Sequence, residues 1–494
     1  MPDQITDRVD QVVIHMYKMG TGDCFVLKFK SKGNVTFKML IDCGCWNQKR
    51  SKIEPFIKAL RDDVEGHVDV LVVTHEHTDH VLGFEAAEDI FTADDFKIDR
   101  IWMGWPENDA VQKIKTWKRK YGDKKKAMAL AAKQLQEKVK SADFEKQFEG
   151  SRHANQILAL RRRFSAVLSE FAELHVSGGT YVDGLKGMQI VKTKLAKNNV
   201  DYHKPGDVLQ HIPGLPGIRI YVLGPPERWK QVKQESGDAT EAYEHNDELE
   251  ESDLFMRALD RTLGGHNGTA VEPFEKSYVT EDAAVVDGYK NKEAWRRIDD
   301  DWLFSAGAFA LRMNELTNNL SLVLAFEFID NNPVGKVMLF PGDAEIGSWK
   351  SWQDIKWKEK GFPDLSTEKL LNQVVFYKVA HHLSHNGTAR SVGLNMMTHP
   401  DLVAMATLDY KVISDGWKTT MPNRHIIRDL LEKTKGRTMI MNENGLHFDG
   451  EDQIPLTGKI AEFREQKMSV AEKKAFEDAL DNDSIFYMEY VLSL

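Results

Sequence analysis

Val68-Asp69-Val70-Leu71-Val72-Val73-Thr74-His75-Glu76-His77-Thr78-Asp79-His80 joins a nearly continuous apolar run to three histidines and an aspartate packed into six residues. The apolar half has the composition of a strand buried on both faces. The polar half follows at once, so its side chains are held at the end of a rigid element and still reached from outside. His75 and His77 stand two apart and can converge on one ion. Asp79 and His80, one short turn further, can reach a second. Imidazole and carboxylate donors suit Zn²⁺, Mn²⁺ or Fe. A polar turn with satisfied histidines is the plainer alternative. It suits a single histidine, not three and an aspartate directly after an apolar strand.

Working outward, the upstream segments read as strands and turns. Val12–Tyr17 is β-rich, Cys24–Lys30 alternates like a half-buried strand, and Phe37–Asp42 forms another beyond the Gly33-Asn34 turn. Ile53–Leu60 is amphipathic and reads as helix. Asp99–Met103 reads as one more strand. From about 108 to 177 the chain turns rich in Lys, Arg, Glu, Ala, Leu and Gln, which predicts a helical insertion. Strand patterns return by 203–226 and again at Ser321–Phe328, Lys336–Phe340 and Val374–Ala380. The segment 227–300 is polar and acidic. The chain is therefore expected to be α/β. One half of a fold spans 1–107, a basic helical insertion 108–202, and the other half 203–456 with an acidic insertion at 227–300. A charged helix and a last apolar strand fill 457–494.

Composition sets limits. A chain of 494 residues with 41% hydrophobic residues can build a large core. The formal net charge of −10 argues against a surface that grips nucleic acid throughout. No run of 18 apolar residues occurs, so no membrane span is expected, and residues 1–7 carry no leader-like pattern. The three cysteines, Cys24, Cys43 and Cys45, are odd in number and clustered. This predicts free thiols in a reducing, cytoplasmic setting rather than a disulfide framework or a structural zinc site.

The His75-x-His77-x-Asp79-His80 run after an apolar strand resembles the signature of the metallo-β-lactamase superfamily. Further elements occur in order: Gly20-Thr21-Gly22-Asp23-Cys24, Leu40-Ile41-Asp42-Cys43-Gly44, Leu223-Gly224-Pro225-Pro226, Asn318-Asn319-Leu320-Ser321-Leu322-Val323, Gly342-Asp343-Ala344-Glu345 and His381-His382-Leu383-Ser384. Ser414-Asp415-Gly416 and Pro422-Asn423-Arg424-His425 follow. Together they are similar to the soluble hydrolase domain of the ComEC-type DNA-uptake proteins over about 11–104, 203–226 and 316–448. The resemblance implies a four-layer αβ/βα sandwich carrying the helical insertion. It implies a two-metal site, zinc first and manganese as the alternative. His75 and His77 would bind one ion. Asp79, His80 and either His381 or His382 would bind the other, and Asp343 would bridge the two. Asp42 would orient a ligand from behind. Two histidines remain open for one position, and His203, His211 and His266 are the candidates for a third ligand of the first ion. Leu383 stands where the resembled motif has glycine.

Function follows from that set. A pair of ions about 3.5–4 Å apart can hold a hydroxide between them and clamp both oxygens of a displacement. Asp79 and His382 are the expected catalytic residues. The ComEC-type elements point to a phosphodiesterase or nuclease. Esters, thioesters or lactams are the alternative substrates, and a non-catalytic interaction module is the alternative without chemistry. From Lys113 to Lys126 eight of fourteen residues are Lys or Arg against one acid, Asp123, with Trp117 and Tyr121 among them. Such a run can hold phosphates and stack bases, although a solvated helix face accounts for it too. No membrane partner is expected.

Overall fold

The computed structural model describes residues 8–46, 48–112, 114–115, 176–177, 180–181, 186–197, 199–232, 282, 284–285, 317–413, 418, 421–447 and 455–494. The basic run beyond residue 115, Arg161–Arg163, His266 and most of the acidic segment lie outside the described residues.

Strand patterns read from period-two alternation form two mixed sheets. The first contains β1 (Gln11–Tyr17), β2 (Phe25–Ser31), β3 (Asn34–Ile41), β4 (His67–Val73) and β5 (Lys97–Gly104). A two-strand ribbon, β6 (Val176–Ser177) and β7 (Thr180–Tyr181), follows in the chain. β8 (Val200–His203) then pairs parallel to β5. The second sheet runs through β9 (Val208–Leu209), β10 (Ile218–Gly224), β11 (Val323–Phe328), β12 (Val337–Phe340), β13 (Val374–Lys378), β14 (Val403–Asp409) and β15 (Thr438–Asn442). β16 (Leu480–Asp481) and β17 (Tyr487–Ser493) return to the first sheet, whose order is β16-β17-β1-β2-β3-β4-β5-β8. The second reads β15-β14-β13-β12-β11-β10-β9. In each sheet an antiparallel portion feeds parallel strands, β3 to β5 and β8 in one and β12 to β15 in the other.

Alternation along the strands sorts side chains between layers. Val70 and Val72 of β4 join Phe25, Leu27, Met39, Ile41, Leu324, Phe326, Met338, Phe340 and Met405 in a core between the sheets. Val68, Leu71 and Val73 face the other way, onto helices. There α1 (Arg50–Asp63) buries Ile53, Ile57 and Leu60, and α2 (Thr78–Ala86) buries Val81 and Phe84. The second sheet is backed by helices at Ile346–Trp352, Thr367–Asn372, Arg424–Thr434 and Leu456–Lys467. The layers therefore run helix, sheet, sheet, helix.

Two features depart from the pattern expected of the sequence. Met188, Ile190, Val191 and Leu195 pack in the helical layer beside α2, and β8 extends the first sheet. The chain thus rejoins the first half before residue 203. The tail holds two helices, Leu456–Lys467 and Val470–Ala479, where one was expected. Its last strand pairs antiparallel with β1 from Gln11↔Ser493 to Tyr17↔Tyr487. Behind that pair His15 sits 2.8 Å from Asp63 of α1 and 2.6 Å from Glu489 of β17, and Lys28 Nζ is 2.6 Å from the same Asp63.

Candidate metal centre

The motif residues meet where parallel strands of both sheets end, the position at which α/β sheets bind ligands. Thr74–His77 leave β4, and Thr78, Asp79 and His80 open α2. Asp343 follows β12, and His382 follows β13. His80 Nε2 lies 3.1 Å from Asp343 Oδ2 and 3.9 Å from Asp79 Oδ2. His382 Nε2 lies 3.1 Å from Asp79 Oδ2 and 3.3 Å from Asp343 Oδ2. One ligand atom from each of the four residues falls within 4.8 Å of the others.

The donor set fits a divalent cation. His80 Nε2 and Asp343 Oδ2 are buried and make no hydrogen bond, a costly state for polar atoms unless something else binds them. The far nitrogens of the rings are committed. His80 Nδ1 is 2.8 Å from Asp42 Oδ2, and a carboxylate can only accept, so Nδ1 carries a proton and Nε2 is the nitrogen turned toward Asp343. Asp42 also accepts from the Thr74 amide at 2.8 Å and the Thr74 hydroxyl at 2.6 Å. The Thr407 hydroxyl donates to Asp23 Oδ1 at 2.7 Å, so it accepts from His382 Nδ1 at 2.8 Å. That leaves His382 Nε2 as the nitrogen facing Asp79 and Asp343.

Charge agrees with geometry. Burial alone would lower the His80 pKa. Asp343, Asp42, Asp23 and Asp79 around it outweigh that and hold it well above the ordinary value. His382 is likewise lowered by burial and raised further by Asp343, Asp79 and Asp23, to about 9. Burial raises Asp343, and His382, His80 and Lys378 overturn this and hold it well below the usual carboxylate range. A site that draws protons onto its histidines is a site built for positive charge.

His75 and His77 form a second, smaller group. His75 Nε2 is 3.1 Å from His77 Nδ1, and the His75 and His80 rings are 4.1 Å apart. Thr74 Oγ1 and Ser321 Oγ stand 3.1 and 3.3 Å from His75 Nδ1. Burial, with His80 and His77 nearby, pushes the His75 pKa well down. Among the described residues no third histidine, cysteine or carboxylate completes a ligand group with this pair. His203 ends β8 with its ring edge-on to Trp102 at 5.3 Å, and His211 lies on an exposed turn. Neither joins a ligand group among the described residues.

Of the adjacent histidines, the structure turns His382 into the cluster and His381 away from it. His381 Nδ1 is 3.3 Å from Glu345 Oε1 and from Asn386 Oδ1, and its Nε2 is 3.3 Å from Asn318 Nδ2. Both histidines and Leu383 have positive φ, 46°, 49° and 69°. The Asn-Asn-x-Ser element acquires distinct tasks. Asn318 donates to Glu345 at 2.7 Å. Asn319 accepts from the amides of Glu345 and Ser348 at the start of the Ile346–Trp352 helix. Ser321 accepts from the Asp343 amide at 3.2 Å. The glycine motifs serve close approach. A Cβ on Gly44 would lie 2.4 Å from the backbone of Asp79 and His80. Without side chains there, the Cys43 and Asp23 amides reach the His80 and Asp79 carbonyls, each at 2.9 Å.

Three site residues received no role in the sequence reading: Lys378, Thr407 and Asp23, the last quoted only within the Gly20–Cys24 element. Lys378 is 1% exposed and its ammonium contacts Asp23 Oδ2, Asp343 Oδ1 at 3.2 Å and the Gly342 carbonyl at 2.9 Å. A single lysine inside the apolar run Val374–Ala380 was the available signal. Asp23, Asp42 and His80 also lie within 4.8 Å of one another, but His80 Nδ1 and both Asp23 oxygens are already engaged, so this is support rather than a ligand set.

Residues 19–151 match the family model described as the metallo-beta-lactamase superfamily. With the helix–sheet–sheet–helix layering, the fold is the αβ/βα sandwich of that superfamily. The matched stretch contains His75 to His80 and ends well before Asp343 and His382. No curated protein matches the chain.

Proposed function

From this superfamily match we propose that the chain is a metal-dependent hydrolase whose substrate is a phosphodiester, as a phosphodiesterase or nuclease. The observation that carries the reading is the group of buried His80, Asp343 and His382 with half-buried Asp79, each imidazole held from behind so that its Nε2 faces the carboxylates. These four residues would hold one divalent ion, zinc or manganese, and His75 with His77 would hold a second beside Asp343. When bound, such ions supply an acidified water as nucleophile and Lewis acidity toward the reacting oxygens. The residues themselves supply position. Asp42 and Thr407 fix the ring tautomers, and Lys378 fixes the Asp343 carboxylate. Asp79 and His382 are the catalytic pair, one from each side of the cluster. His381, held by Asn386 and Asn318 beside the cluster, is available to touch substrate. The phosphodiester preference is supported by the ComEC-type order of motifs and by the basic run from Lys113 to Lys126.

The test uses purified, metal-loaded protein against bis-p-nitrophenyl phosphate, single-stranded DNA, RNA and cyclic nucleotides, with nitrocefin and acyl-CoA thioesters in parallel. Phosphodiester cleavage that falls by about 10³-fold or more in Asp79→Ala and His80→Ala, together with lost metal, is the expected result. Cleavage confined to the lactam or thioester panel moves the substrate class. A chain without metal or any turnover sinks the reading.

A further inference from the structure

We infer that Asp23 is a positioning residue that aims two ligands of the cluster at once, His382 through Thr407 and Asp343 through Lys378. The inference rests on the metal-dependent reading above and assigns a task to a residue outside the ligand set. Asp23 is 1% exposed on the loop between β1 and β2, and its amide donates to the Asp79 carbonyl at 2.9 Å. Its carboxylate is divided between two arms. Oδ1 takes the Thr407 hydroxyl at 2.7 Å, and that hydroxyl, its one proton spent, can only accept from His382 Nδ1 at 2.8 Å. Oδ2 takes the Lys378 ammonium, which continues to Asp343 Oδ1 at 3.2 Å and leaves Asp343 Oδ2 as the oxygen facing His80.

A simple ion pair with Lys378 would need only one oxygen of Asp23. The second is used on a hydroxyl whose other partner is a ligand ring. Asparagine would not serve equally, because it has one acceptor oxygen and would turn its amide nitrogen to either the Lys378 ammonium or the Thr407 hydroxyl, each of which donates to Asp23 here. The two ligands come from the second sheet and Asp23 from the first, so the fork also sets the registry of the sheets at the site. Partners behind metal-binding groups of this kind typically change affinity by about 10–100-fold when removed.

The experiment measures Co²⁺ binding to the full chain by chelator competition and by the visible spectrum of the bound ion. Thr407→Val removes the first arm and should weaken binding about 10–100-fold and alter the spectrum. Thr407→Ser restores the hydroxyl and should return both to wild type, which a purely steric role for the residue would not do. Asp23→Asn should weaken binding as well, and Thr407→Val should cost less in that background than alone, because both act on His382 through one arm. If Thr407→Val fails to fold by circular dichroism, the Asp23→Asn and Thr407→Ser comparison carries the same decision. Wild-type affinity and spectrum in Thr407→Val or Asp23→Asn, in a chain whose wild type holds cobalt, overturn the inference and leave the metal reading standing. A wild type that takes up no metal overturns both.

Discussion

Leu383 adopts φ 69° and is fully buried in the core beneath the second sheet. The left-handed region costs an L-residue about 1–2 kcal/mol, and burying a leucine side chain returns about 1.5–3 kcal/mol. The leucine is thus tolerated where the resembled motif has glycine because its side chain plugs the core. This inverts an ordinary ranking. Leu383→Ala loses the packing and keeps the backbone penalty, so it should destabilise by about 3 kcal/mol. Leu383→Gly loses the packing but releases the penalty, and should be about 1 kcal/mol less harmful than alanine. Urea unfolding of the pair checks this, and glycine as the worse variant would show that the φ angle is not what matters. At this scale the candidate ligands Asp79, His80 and Asp343 were the most legible part of the cluster, because they are chemically conspicuous types near strand ends, while the choice between His381 and His382 stayed open. Thr407 was not legible. A threonine in an apolar strand looks like any other, and its value lies in what stands on either side of it in space.

At the scale of elements, α2 matters through its first turn, which carries Asp79 and His80 and rests on the loop after β3. Gly44 forms the contact. Any Cβ there would sit 2.4 Å from Asp79 C and His80 N, which are backbone atoms with nowhere to turn. Gly44→Ala should therefore shift the whole turn, destabilising by about 1–3 kcal/mol and lowering metal content together with the melting temperature. A variant that melts lower but keeps full metal would separate the turn from the site. Strands were readable wherever alternation met a core on each side, as in β4. Their partners were not. Local pattern carries no trace of β17 lying beside β1, or of Val200–His203 joining β5, since pairing is decided by the sheet edge available after the rest has folded. Hence the boundary expected at residue 203 fell inside the first sheet.

For the whole molecule, the cluster joins the two sheets, with Asp79 and His80 on one side and Asp343 and His382 on the other. Metal bound there should stabilise the fold by mass action, with a defined dependence on pH. In the metal-free protein the raised pKa values of His80 and His382 contribute stability that is fully present below about 6.5, the unfolded value, and is lost as pH rises through the folded value, about 9 for His382. A ligating nitrogen must give up its proton, so apparent metal affinity rises over the same interval, by about tenfold per unit for each proton expelled. The gap in melting temperature between metal-loaded and chelator-stripped protein should widen from pH 6.5 to 9. A gap that is constant or shrinks counts against the histidines as ligands. The tie between β1 and β17 has a consequence for how the protein is made. His15 and Glu489 are 474 residues apart in the chain, and Asp79 and His382 are 303 apart. At about 5–20 residues per second, a ribosome leaves the edge of β1 bare for roughly half a minute or longer before its neighbour emerges. A bare edge invites wrong pairing, and the four residues of the cluster stand together only after His382 has been made.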